Sequence, residues 1–284
     1  MAVYKKIPTG FAEATSWAMA NGLQPAHMVA MTTMADATAI SGLRERAKAQ
    51  GHIAPSYTAL AVKAAAIVMQ NNPWANRAIL GPPFFRKLYQ FSEIDISVAV
   101  EKDLPGLPGQ PYAATIRRTA HKSLSEITNE LRAFATADVK TDSRLRLFMR
   151  VLRYVPPPFS TWMIQAPYLG PRLWSMHRGC ACWVNAPSKA GADLVIATWP
   201  WPISFSFGLV KERPWVCDGK VETRLTIPLL MSFDRRIQGG GPASRLFAEF
   251  TQIIEQAKLS DVDRLEEKVP AVVDRPQSDA RLFG

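Results

Sequence analysis

Only three cysteines occur in 284 residues, an odd number that makes no disulfide framework and leaves at least one thiol free, as expected in a reducing compartment. Long apolar runs are also missing. "TALAVKAAAIVM" and "TWMIQAPYLG" are broken by Lys63 and Pro167, well short of the ~20 apolar residues that a spanning helix needs. Lys5 and Lys6 lead into no clean apolar stretch, since Pro8 and Glu13 interrupt it, so no signal peptide is read and the cytoplasm is the expected location. No Walker loop, glycine-rich dinucleotide fingerprint or serine-centred nucleophile elbow occurs. Nor is there an internal repeat or a Gly-Ser or Pro-Gln linker, which points to one domain.

The residues present suit a substantial core: 48% are hydrophobic and 20% charged. The formal charge of +10 favours anionic partners such as phosphates, coenzyme A, nucleic acid or an acidic carrier protein, without choosing among them. Residues 1–24 read as an N-terminal arm. "HMVAMTTMADA" alternates as a strand, and Asp36 and Thr38 offer caps for the helix "ATAISGLRERAKAQG". Ser56 can cap "YTALAVKAAAIVMQNN", whose apolar residues recur at helical spacing until Pro73. "FSEIDISVAVE" reads as a strand, and "GLPGQPYAATIRR" as turns before another. Ser123 and Glu126 have capping-box spacing at the head of "SLSEITNELRAFATAD". Late strands are expected in "GADLVIATW", "FSFGLV" and "KVETRLTIPLLMSF", then the amphipathic helix "PASRLFAEFTQIIEQAK" and a polar tail over 259–284.

Four histidines are present, and His52 and His121 read as surface residues. His177 with Cys180, Cys182 and the distant Cys217 fits no standard zinc spacing, so no metal is expected and the cysteines read as small buried apolar groups, with a nucleophilic Cys182 as the sharper alternative. Trp199 and Trp201 read as core or channel wall, and nothing supports nucleic-acid binding.

Several separated stretches together resemble the catalytic domain of the dihydrolipoyl acyltransferases of 2-oxo acid dehydrogenase complexes, a family related in fold to chloramphenicol acetyltransferase. They are "ADATAISGLRERAK", "YTALAVKAAAIVMQNNPWANRAI" with its Pro73 and Asn76 turn, "DISVAVEKDLPGLPGQP", "KSLSEITNELRAF" and "RPWVCDGKVETRLTIPLLMSFDRRIQGGGPASRLFAEFTQIIE". The resemblance covers 25–258 and implies a two-layer α/β domain, a mixed sheet covered by helices. It also implies a homotrimer with a substrate channel at each subunit interface. Neither a lipoyl domain nor a peripheral-subunit-binding segment is read ahead of it.

In that family the active turn reads Asp-His-Arg, two apolar residues, then Asp or Asn and Gly. The histidine takes the thiol proton of coenzyme A or dihydrolipoamide. Here Asp234, Arg236 and Gly240 match, but Arg235 stands at the histidine position and Gly239 at the acidic one. A guanidinium stays protonated to pKa ~12 or above, so Arg235 cannot be the general base. The family's oxyanion-binding serine aligns with Val184, beside Asn185, with Ser188 as the other alignment. His27 falls near a histidine that related domains carry by the channel, and is the candidate substitute base.

Relative to the family, 143–178 reads as an insertion with six arginines and no acidic residue: a basic amphipathic helix, then an aromatic, proline-rich loop. Its readings are an extra core layer, a membrane or protein contact, or a lid. The resulting expectation is an acyltransferase-family protein that handles a coenzyme A- or carrier-bound acyl group with its standard base lost, so altered or inactive. Coenzyme A thioester is then a substrate, and no permanently bound cofactor is expected. The alternative is a non-catalytic trimeric scaffold that contacts a membrane surface or partner protein through the insertion.

Overall fold

The computed structural model describes residues 10–12, 14–15, 27–82, 84–104, 107–137, 142–186, 192–197 and 199–259. Strand β1 (Met28–Asp36) leads into helix α1 (Thr38–Ala49), where the Thr38 amide donates to the Asp36 carboxylate at 2.8 Å. Ser56 starts α2 (Tyr57–Asn71) by accepting from the Ala59 amide at 3.1 Å. Pro73 ends it in a 3-10 turn. Asn76 then pins that turn to the sheet: its Nδ2 donates to the carbonyls of Phe91 and Glu93, and its Oδ1 accepts from the Ala181 amide.

A short hairpin, β2 (Arg77–Leu80) and β3 (Lys87–Gln90), precedes β4 (Ile96–Leu104) and β5 (Leu107–Ile116). The capping box at α3 (Leu124–Thr136) is made in both directions, Glu126 amide to Ser123 hydroxyl and Ser123 amide to Glu126 carboxylate. Its far end is held by Lys102, whose ammonium donates to the carbonyls of Ala135 and Ala137, where a helix C-terminus favours a cation.

After α4 (Ser143–Tyr154), α5 (Pro157–Gln165) and α6 (Pro171–Arg178) come β6 (Cys182–Asn185), β7 (Ile203–Phe207), β8 (Lys211–Cys217), β9 (Lys220–Asp234) and α7 (Gly240–Gln256). The main sheet runs β1-β9-β7-β6-β4-β5, with β8 also pairing β9. β6 is parallel to β4 and to β7, and the other pairings are antiparallel. Alternation along the strands sorts two cores. Ile96, Val98, Cys182, Val184 and Phe205 pack on the side of α2 and α7, whereas Trp183 joins Trp174 and Trp201 in a separate aromatic cluster. This is the mixed sheet covered by helices that the sequence implies.

Three expectations are corrected. "GADLVIATW" is not a strand: 192–197 runs irregularly, with Asp193 tied by its carboxylate to Lys211 and Arg213 and by its carbonyl to the Leu209 amide. An apolar run alone does not make a strand when its backbone partners lie elsewhere. Second, the turns expected at the start of "GLPGQPYAATIRR" are already strand, because β5 begins at Leu107 and pairs with β4 along its length, whereas "RPWVC" forms the end of β8 within the stretch that resembles the family's last strands. Third, the chain after α4 is not a loop but α5, a 3-10 turn over Ala166–Leu169 and α6, because Pro157 and Pro171 sit in first helical turns where no N–H is required. One of the six arginines also turns inward. Arg178, 4% exposed, lies 4.8 Å from the Trp201 ring centroid and donates to the Ile164 carbonyl.

Most of the expected arm over 1–24 and the tail from Ser260 lie outside the described residues. Thr15, however, is buried and bridges α4 to α5: its hydroxyl donates to the Val155 carbonyl, and its carbonyl accepts from the Ser160 hydroxyl. Among the described residues no helix is long and apolar enough to cross a membrane.

Candidate active site

The turn Asp234–Gly239 joins the last residue of β9 to α7. Asp234 is 6% exposed, and its amide donates to the Pro202 carbonyl at 2.8 Å. Arg236 folds back onto the Asp234 carboxylate, with its backbone N–H and Nε both 3.0 Å from Oδ1 and Nη2 2.6 Å from Oδ2. That hydrogen bond raises the Arg236 pKa against the opposing effect of burial. Both charges are therefore consumed in holding the turn.

Arg235 is free of that arrangement and exposed, and its backbone N–H donates to the His27 carbonyl at 3.2 Å. The fold thus brings two residues 208 positions apart, 235 − 27, to one place at the end of the β1–β9 pair. His27 is itself exposed and held at φ 73°.

Gly239 caps α7 with no side-chain acceptor, and a Cβ on Gly239 or Gly240 would meet nothing within 4 Å. The first turn of α7 is therefore uncapped by any side chain and carries the positive end of the helix dipole. Behind them lies a cleft of about 600 Å³ lined by Asn72, Trp74, Gln238, Gly239, Pro242 and Arg245, among others. Gln238 is 8% exposed, and neither polar atom of its side-chain amide has a partner among the described residues. Sequence reasoning missed this cleft. The run Gly239–Gly240–Gly241 ahead of a helix was the available signal.

Val184, aligned with the family's serine, is fully buried in the helix-side core and offers no polar atom. Asn185 behaves differently. It pairs with Ser206, which pairs with Leu230, four residues before Asp234, so Asn185 and Asp234 project from the same face of the sheet. Asn185 is 5% exposed, and among the described residues neither its Nδ2 nor the Ser206 hydroxyl has a partner. On the same face the Ser204 and Ser232 hydroxyls are 2.6 Å apart. Ser188 lies outside the described residues.

Cys182 is buried, and burial pushes its thiol well above its ordinary value; Cys180 is pushed up to about 12 by the same cause. Both stay in the thiol form at neutral pH. His52, His121 and His177 are exposed. Among the described residues no group of three or more His, Cys, Asp or Glu is placed to hold a metal ion.

The family model for 2-oxoacid dehydrogenases acyltransferase (catalytic domain) matches residues 4–145. Among solved structures the chain is similar to a probable dihydrolipoamide acetyltransferase from Listeria monocytogenes 4b F2365, at 18% identity and a TM-score of 0.61, covering 90% of this chain and 96% of that one. It is also similar to the dihydrolipoamide acetyltransferase of Azotobacter vinelandii, studied for one serine, one histidine and one asparagine in its catalytic mechanism, at 18% identity, a TM-score of 0.62, and 89% and 92% coverage. A truncated catalytic core of the 2-oxoacid dehydrogenase multienzyme complex from Thermoplasma acidophilum matches at 17% identity, a TM-score of 0.55, and 81% and 88% coverage. At these identities the likeness is one of fold. No curated protein sequence matches.

Proposed function

Because the chain belongs to the 2-oxoacid dehydrogenase acyltransferase catalytic-domain family, we propose that it keeps the family's scaffold for a coenzyme A- or carrier-bound acyl group but lacks the base that drives transfer. The observation that carries this is the turn itself. In the Azotobacter protein the histidine and asparagine under study are four positions apart. At that spacing this chain has an exposed Arg235 and a side-chain-free Gly239.

Arg235 stays protonated at neutral pH and cannot remove a thiol proton. Asp234 offers no replacement, since its carboxylate is bound on both oxygens by Arg236. The turn instead offers positive potential: Arg235, the uncapped start of α7 and Arg245 all favour an anionic group. For the oxyanion of a thioester intermediate, Asn185, next to the Val184 that aligns with the family's serine, and the Ser206 hydroxyl are, among the described residues, unpartnered donors on the sheet face of Asp234. The protein is thus built to bind acyl thioesters better than to turn them over. The family relationship further supports a homotrimer with channels between subunits.

A non-catalytic trimeric scaffold is the second reading, favoured by the exposed apolar and basic surface of 143–178. Titration with acetyl-coenzyme A by calorimetry separates the two. Saturable binding that weakens on Arg235→Glu supports the first, and no binding supports the scaffold.

A further inference from the structure

The loop joining β2 to β3 displays Phe84 fully exposed and Phe85 74% exposed, and two cations, Arg86 and Lys87, come directly after them. Its described residues are tied together. The Phe85 amide donates to the Pro82 carbonyl, and a Cβ on Gly81, at φ 131°, would lie 2.7 Å from the Phe85 carbonyl oxygen, so only glycine fits. Phe84 itself is held at φ 69°, a costly conformation for an aromatic residue that buries nothing in return.

The same loop touches the insertion, for the Gly81 amide donates to the Tyr168 carbonyl at 2.8 Å. Leu169, next in the chain, is exposed, and α5 just before it exposes Phe159, Trp162 and Met163 at helical i, i+3, i+4 spacing, with Trp162 77% exposed. On α4 the outward side carries Leu147 and Tyr154 among Arg146, Arg150 and Arg153. Of the sixteen exposed large apolar side chains among the described residues, ten fall within 84–88 and 143–178. Neither 77–92 nor 143–178 contains an acidic residue. Apolar side chains scattered singly over a surface need no explanation, but such a concentration does.

We propose that the 81–87 loop and helices α4 and α5 form a surface that docks peripherally on an anionic phospholipid membrane, with Phe84, Phe85 and Trp162 entering the headgroup layer and the flanking arginines and lysine meeting lipid phosphates. Aromatic residues backed by cations suit that interface, where ring and charge each find their own medium. A second copy meeting this face with its own is a poorer occupant, because it would bring like-charged arginine sets together, and a head-to-tail contact in the proposed trimer is the alternative that solution mass tests. An acidic protein would satisfy the cations but gives no reason for a fully exposed Phe84 beside an exposed Phe85.

Co-sedimentation of the full chain with vesicles of phosphatidylcholine alone, and of phosphatidylcholine mixed with phosphatidylglycerol, tests this. Binding to the mixed vesicles at low salt is expected, with little to the neutral ones and release as salt rises. Arg86→Glu with Lys87→Glu should weaken partition by about tenfold or more. Phe84→Ser with Phe85→Ser should weaken it comparably even at low salt. These side chains are exposed, so an unchanged circular dichroism spectrum and melting temperature accompany the loss. Protein that stays in the supernatant with anionic vesicles, variants that bind like the wild type, or a phenylalanine variant that changes the solution mass would overturn the proposal, the last by showing that another copy covers the patch.

Discussion

The carbonyl oxygen of His27 accepts a 3.2 Å hydrogen bond from the backbone N–H of Arg235, joining the start of the first strand to the turn after the last. His27 is therefore bound through main chain to the turn that carries Arg235. His27 holds φ 73°, which costs an L-residue about 1–2 kcal/mol. His27→Gly should accordingly raise stability by about 0.5–1 kcal/mol in chemical denaturation. If the proposed loss of the base holds, the same substitution leaves acyl transfer at the wild-type level.

Asp234 and Arg236 make the opposite case. The carboxylate is nearly buried, so Asp234→Asn removes the charge-assisted grip that Arg236 makes within the turn. A loss of about 1.5–3 kcal/mol is expected, read from denaturant midpoints at constant slope. An unchanged midpoint would mean that the turn is held elsewhere.

Acid stability should depend in part on Asp36. Burial pushes its carboxyl up, but the Thr38 hydroxyl and amide and the Arg224 guanidinium outweigh that and hold it below its ordinary value of 3.8. A carboxylate lowered in the native state stabilises fully above its unfolded value, and the contribution is lost as pH falls through the native one. Asp36→Asn, which loses the ion pair with Arg224, should therefore cost up to about 1 kcal/mol at neutral pH. The difference from wild type should begin to shrink as pH falls past the ordinary value and be gone only below the lower native one, and a gap that persists there would contradict the assignment.

Gly179 ends α6 at φ 71°, and a Cβ there would lie 2.2 Å from the Asp95 carbonyl oxygen. Gly179→Ala should destabilise by about 3 kcal/mol or more, since backbone rather than a flexible side chain stands in the way. Thermal denaturation reads this directly.

The helices with strong local signals were legible in the sequence: the Ser56 cap, the Ser123–Glu126 box and the Pro73 stop each act through nearest neighbours and need no tertiary context. The irregular path through 192–197 was not, because which run pairs in the sheet depends on partners far along the chain. Prolines misled in the insertion, where a first-turn proline and a loop proline look alike. At the site, the substitutions at Arg235 and Gly239 could be read, but the orphan amide of Gln238 and the side of the sheet chosen by Asn185 depend on register and burial. The proximity of His27 to the turn came from the family resemblance rather than from any local pattern.

The most direct test of the proposed loss of the base is the rate of acetyl transfer between coenzyme A and dihydrolipoamide, taken for the wild type and for Arg235→His combined with Gly239→Asp. A wild-type rate little above background is expected, with a measurable gain in the double variant, toward the ~10²–10⁴-fold that general-base catalysis contributes. Robust wild-type transfer that survives Arg235→Ala but is abolished by His27→Ala or Cys182→Ala would contradict it.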